Sequence, residues 1–130
     1  RNALDLDPKN AKIHCNLGFL YWGKGDTDEA IREYEYAIEY DKSYSIAYNN
    51  LGVIYLDDLG RVKEAIDMFK KAVEYNPNYA LAHFNLARSI AITGEKIEAA
   101  KLYQIAQDVN KITNEIDPQD ITDKINALFD

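Results

Sequence analysis

The chain has 130 residues, 47% of them hydrophobic, which is the length of one domain with enough apolar side chain for an ordinary core. A formal net charge of -7 argues against nucleic acid or an anionic membrane surface as partner, since both require a basic face. The single cysteine, Cys15, cannot form an intramolecular disulfide, so a reducing cytoplasm is the default expectation. No run approaches the ~18 apolar residues that membrane insertion would need.

Arg1 to Asn10 reads as the close of a unit whose start is missing. Ala3 and Pro8 have the spacing of Ala72 and Pro77, and the only methionine is Met68, as in a piece of something longer. A helix is predicted from near Asn10 to about Trp22, broken by Gly23 and Gly25. The next opens at Thr27, with Asp28 and Glu29 in the first turn where the helix dipole favours acids, and reaches roughly Tyr40. Its Ala30, Ile31, Tyr34, Ala37 and Ile38 make one apolar face. Two more helices come next, Ser45 to about Leu59 and Val62 to Tyr75, the second stopped ahead of Pro77 because a residue before proline avoids helical geometry. A third pair runs from Ala80 to Ile92 and from Ile97 to about Lys111. After a looser link, Ile112 to Ile116, Asp117 and Pro118 open a last helix with Ile121, Ile125 and Leu128 on one side. That helix is expected to cap the array.

These elements repeat. Asn16-Leu17-Gly18-Phe19-Leu20-Tyr21 returns 34 residues later as Asn50-Leu51-Gly52-Val53-Ile54-Tyr55, and after 35 more as Asn85-Leu86-Ala87-Arg88-Ser89-Ile90. The units are predicted at 11–44, 45–79 and 80–113, between the partial unit 1–10 and the helix 117–130. The extra residue of the second unit lies between Leu56 and Leu59, as a lengthened turn or a local bulge. An alternative is that it re-aims Asp57 or Asp58 onto a ligand. Mid-helix glycines at 18 and 52 each cost about 1 kcal/mol against alanine, so a close neighbour must compensate, with Ala30, Ala65 and Ala99 expected on the other side of that contact.

The sequence resembles the tetratricopeptide repeat family, whose pattern is W-x2-L-G-x2-Y, then A-x3-F, A and P. The second unit matches it through Tyr48, Leu51, Gly52, Tyr55, Ala65, Phe69, Ala72 and Pro77. The first does so through His14, Leu17, Gly18, Tyr21, Ala30, Tyr34 and Ala37, and the third through His83, Leu86, Ala99, Tyr103 and Ala106. Ala87, Ile90, Lys42 and Lys111 depart from it. The resemblance implies an all-α fold, a right-handed superhelical solenoid of antiparallel helix pairs. It also implies a protein or peptide partner held on the concave face of the first helices.

That face carries Lys12, Cys15, Asn16, Phe19 and Trp22 in the first unit, and Ile46, Asn49, Asn50, Val53 and Leu56 in the second. In the third it carries Leu81, Phe84, Asn85, Arg88 and Ala91. An apolar groove on an acidic chain is expected, since contiguous apolar surface in a soluble protein marks a binding site. Asn16, Asn50 and Asn85 resemble the asparagine ladder of the O-linked N-acetylglucosamine transferases, and an amide can pair with any peptide backbone. Co-chaperone members of the family bind a carboxylate tail through a clamp. Asn50 fits that clamp, but Cys15, Phe19, Leu81 and Asn85 stand where it has lysine, asparagine, lysine and arginine. A chaperone tail is therefore not the expected ligand.

No catalytic, metal or cofactor site is expected. His14 and His83 occupy the large-aromatic place of Tyr48 and lack metal-ligand spacing. Cys15 shares its face with no histidine. The expected function is an interaction module and not an enzyme. The alternatives are a scaffold segment that self-associates through its repeat ends, and a non-catalytic docking arm of a larger enzyme.

Overall fold

The computed structural model describes residues 8–130, so the predicted close of a partial unit falls almost wholly outside the described residues. Those residues form seven α-helices and no strand. They are α1 (Pro8–Gly23), α2 (Thr27–Tyr40), α3 (Ser45–Val53), α4 (Val62–Tyr75), α5 (Ala80–Ile92), α6 (Lys96–Thr113) and α7 (Pro118–Ala127), with one π-helical turn, Ile54–Asp58, continuing α3. Helix α1 already includes Pro8, the first of the described residues, two residues before the expected Asn10. The pairs α1–α2, α3–α4 and α5–α6 pack as hairpins, and α2 on α3 and α4 on α5 join one hairpin to the next. This is the all-α solenoid.

Each hairpin is closed by local chemistry. Gly25 and Gly94 take φ of +85° and +93°, a left-handed backbone that reverses the chain at little cost only for glycine. Between the helices, a Cβ placed on Gly52 would stand 2.5 Å from Cε1 of Phe69, and one on Gly18 would stand 2.9 Å from Cε1 of Tyr34. The mid-helix glycines are thus required by aromatic rings of the second helices. Ala30, Ala65 and Ala99, expected as the facing residues, are fully buried in the same cores. In the third unit Ala87 shares a core cluster with Tyr103.

The link expected to be loose is instead tied down. Helix α6 runs to Thr113 and ends at Asn114 in the left-handed region, φ 53°. Buried Asn110 holds the next two residues: its Oδ1 accepts from the backbone N–H of Glu115 at 2.8 Å and Ile116 at 2.9 Å, and its Nδ2 donates to the Ile116 carbonyl at 2.6 Å. The Glu115 carboxylate then accepts from the backbone N–H groups of Ala80 and Leu81, at the start of α5 where four such donors have no helical partner. Asp117 caps α7 by accepting from the Gln119 N–H at 3.0 Å. Ile121 of α7 is fully buried in the core cluster of Leu86, Ile90 and Tyr103.

Among the described residues one face of α1 is exposed. Ile13, Leu17 and Leu20 are exposed, whereas the residues at the same repeat positions, Ala47, Leu51 and Ile54, and Ala82, Leu86 and Ser89, are all buried. In the second and third units that face is covered by the preceding unit.

Candidate peptide-binding face

Helices α1, α3 and α5 are the first helices of the three units, and polar contacts join each to the next. The extra residue of the second unit is absorbed by the π turn, where the Leu59 N–H reaches back five residues to the Ile54 carbonyl at 3.1 Å. The turn sends its two aspartates to opposite neighbours. Asp58 Oδ2 accepts from the indole N–H of Trp22 on α1 at 2.9 Å. Asp57 takes Arg88 of α5 in a two-bond pair, 2.9 Å and 3.2 Å. A guanidinium facing a carboxylate in this fork geometry is among the stronger polar contacts available.

The asparagines also run from unit to unit. Asn85 Nδ2 donates to Asn49 Oδ1 at 3.0 Å, and both residues are buried. One unit earlier, Asn50 Nδ2 donates to the Tyr34 hydroxyl at 3.3 Å and lies 4.0 Å from Cys15 Sγ. Each amide therefore meets the residue that precedes the asparagine position on the helix before it. Asn16, whose counterpart would belong to an earlier unit, is exposed.

The predicted face divides accordingly. Lys12, Asn16, Phe19, Ile46 and Leu81 are exposed, and Trp22, Asn50, Val53, Phe84, Arg88 and Ala91 are half-buried. Cys15, Asn49, Leu56 and Asn85 are buried, which corrects their place on an open groove. Cys15, Asn49 and Asn85 are taken up between neighbouring helices, and Leu56, inside the π turn, joins the core cluster of Ala65, Phe69 and Ile90. Burial pushes the Cys15 thiol up to about 11, against a smaller opposing effect of the Asn50 hydrogen bond, so the thiol is protonated at neutral pH. Burial first, and the charge of Glu115 next, push the Tyr79 hydroxyl up to about 12.

Aromatic and apolar side chains dominate what is left open. Phe19 packs edge-on to Trp22 with ring centroids 6.5 Å apart, and Phe84 packs edge-on to Tyr103 at 5.5 Å. Beyond Arg88, a cavity of about 270 Å³ lies between α5, α6 and α7, lined by Arg88, Ala91, Ile92, Tyr103, Lys124 and Leu128 among others.

The histidines are used in packing. His14 stacks on Tyr40 at 5.0 Å and bonds the Glu33 carboxylate through Nδ1 at 2.7 Å, while His83 Nε2 donates to the Pro77 carbonyl at 2.8 Å. Among the described residues no group of three or more His, Cys, Asp or Glu is placed to hold a metal ion. None of the described helices is long and apolar enough to cross a membrane.

Family models described as tetratricopeptide repeat and TPR repeat match residues 15–73, and 1–25 with 58–89, respectively. The uncharacterized protein ycf37 of Porphyra purpurea is 41% identical over 61 residues, and the protein of the same name from Pyropia yezoensis 39% over 54. Those matches cover 44% and 42% of this chain but only 35% and 30% of the two relatives. The TPR2B domain of yeast Sti1, solved in a complex with pHsp70, superimposes with TM-score 0.85 at 21% identity, over 92% of this chain and 96% of that one. The first TPR of Spaghetti (RPAP3), bound to the HSP90 peptide SRMEEVD, does so with 0.83 at 20%, over 94% and 92%. MamA reaches 0.74 at 24%, over 85% and 64%. At these identities the likeness to solved structures is one of fold.

Proposed function

Because the chain belongs to the tetratricopeptide repeat family, we propose that it is a non-catalytic protein-interaction module that binds an extended segment of a partner along α1, α3 and α5. The observation that carries this reading is the exposure of Phe19 (62%), Ile46 (44%) and Leu81 (37%), one on each of these helices, on a chain of net charge -7. Half-buried Trp22, Val53 and Phe84 widen the apolar surface. Exposed Asn16 and half-buried Asn50 are the amides left to pair with a peptide backbone, and Lys12 is a cation at one end. Peptide-bound relatives of the same fold support the reading. They do not extend it to acidic tails, because Cys15, Phe19, Leu81 and Asn85 supply no cation. A short segment held mainly by apolar anchors binds with micromolar affinity, about -8 kcal/mol.

The test is selection of peptides from a random display library on the wild-type chain and on Phe19→Asp/Ile46→Asp/Leu81→Asp. The three positions are exposed, so the variant is expected to keep its melting curve. Peptides enriched in apolar residues should be selected by the wild type and lost on the variant. Equal enrichment on both would move the site elsewhere.

The exposure of Ile13, Leu17 and Leu20 on α1 favours a second reading, association of this face with another unit of the same kind, because the same positions are buried against a preceding unit in both later repeats. If that face joins copies of the chain, light scattering gives a dimer or larger for the wild type and a monomer for Leu17→Glu/Leu20→Glu. A monomeric wild type at high concentration would rule it out.

A further inference from the structure

Arg88 stands on α5 at the repeat position that Phe19 fills on α1 and Val53 on α3, inside the face assigned above to the partner segment. It is a cation there, but not a free one. Asp57 meets it with both oxygens at 2.9 Å and 3.2 Å, and Asn85 Oδ1 lies 3.5 Å from the same guanidinium. The fork-to-fork arrangement is the one a guanidinium adopts with any carboxylate, including that of a peptide. Asp57 reaches this place because of the π turn, which exists because the second unit has one residue more than the first.

The geometry points to Asp57 as a specificity-determining residue that occupies the carboxylate position of the binding face from within the chain. An incoming acidic segment must displace a carboxylate already in place and is repelled by it, whereas a neutral apolar segment is not. Without Asp57, Arg88 would face the cavity it shares with Lys124, so that two cations border one apolar recess beside Ile92 and Leu128. A carboxylate-bearing peptide would then have a site. The inference rests on α1, α3 and α5 forming a ligand face, and it fails in a different experiment from that reading.

The probe is the fluorescein-labelled peptide SRMEEVD, read by polarisation. Its control carries glutamines, asparagine and a terminal amide in place of every carboxylate. Asp57→Ala is expected to bind SRMEEVD at least about tenfold more tightly than the wild type, and the gain should shrink as salt is raised. The neutral control should show no gain, and Asp57→Ala/Arg88→Ala should lose it. Should Asp57→Ala melt early, Asp57→Asn removes the charge with the shape kept and is expected to show the same direction. Affinity unchanged in both Asp57 variants, a gain that survives loss of Arg88, or an equal gain for the neutral control would each overturn the assignment. Failure of the ligand-face reading appears instead as a wild type that enriches no peptide in the display experiment.

Discussion

Replacing Phe69 by alanine is expected to cost about 3–5 kcal/mol in urea unfolding, a large part of the stability of a domain this size. Phe69 is fully buried in the core cluster shared by Leu56, Ala65, Leu86 and Ile90, so its loss opens a cavity between two units. The informative result is what Phe69 does to its neighbour. In the wild type, Gly52→Ala places a Cβ 2.5 Å from Cε1 of Phe69, with Cδ1 and Cζ at 2.7 and 2.8 Å. No rotation of a ring edge relieves three such contacts, and the substitution is expected to cost about 1–3 kcal/mol through overpacking. In the Phe69→Ala background the ring is gone. The same substitution then gains the roughly 1 kcal/mol by which alanine exceeds glycine inside a helix. A double-mutant cycle should therefore show Gly52→Ala changing sign. If it destabilises equally in both backgrounds, the ring is not why residue 52 is glycine.

Asn110→Ala is expected to cost about 2–4 kcal/mol, although it removes only a small side chain from the end of a helix. Three backbone groups depend on that amide, the N–H of Glu115 and Ile116 and the carbonyl of Ile116. Left without partners in a part-buried place, they penalise the folded state by the solvation they do not regain. The loss should also travel. With the link released, Glu115 no longer covers the first N–H groups of α5, and Ile121 of α7 loses its fixed approach to the core. Hydrogen exchange should accelerate in α7 and at the start of α5 together. Acceleration confined to residues 110–116 would mean that α7 is held by its own packing alone.

The helix boundaries are legible in the sequence because the signals are local. Glycines at the turns, acids at the start of α2 and the Asp117-Pro118 pair each act on a neighbouring backbone, and the elements fall within a few residues of where these place them. The extra residue of the second unit is also readable, since a repeat provides its own reference. Its form is open between a longer turn and a bulge, and the structure closes it with an i to i-5 hydrogen bond. The division of one helix side between two neighbours is where periodicity fails. Cys15, Asn49 and Asn85 lie on the side of the first helices that also meets the adjacent first helix, and helical periodicity cannot tell solvent from a helix of the same kind. Leu56 is misplaced for a different reason, because it lies inside the π turn, whose wider winding departs from the helical period used to place it. The glycines at 18 and 52 correctly signal a close approach, but the identity of the ring facing each comes only with the packing. Asp57 and Arg88 are 31 residues apart, and nothing at either position announces the other.

The joints between the units are unequal. The second and third are held by a buried amide pair and a two-bond ion pair, Asn85 with Asn49 and Arg88 with Asp57. The first and second share one exposed indole bond and the half-buried Asn50 amide, whose contacts to Tyr34 and Cys15 are long. An apolar core nevertheless runs through the first joint, where Ala11, Cys15, Ala30, Tyr34 and Ala37 share a buried cluster with Ala47, Leu51 and Ile54, so the two joints differ in polar contacts and not in burial. High salt, which screens a partly exposed ion pair and leaves apolar packing in place, is therefore expected to loosen the joint between the second and third units more than the first.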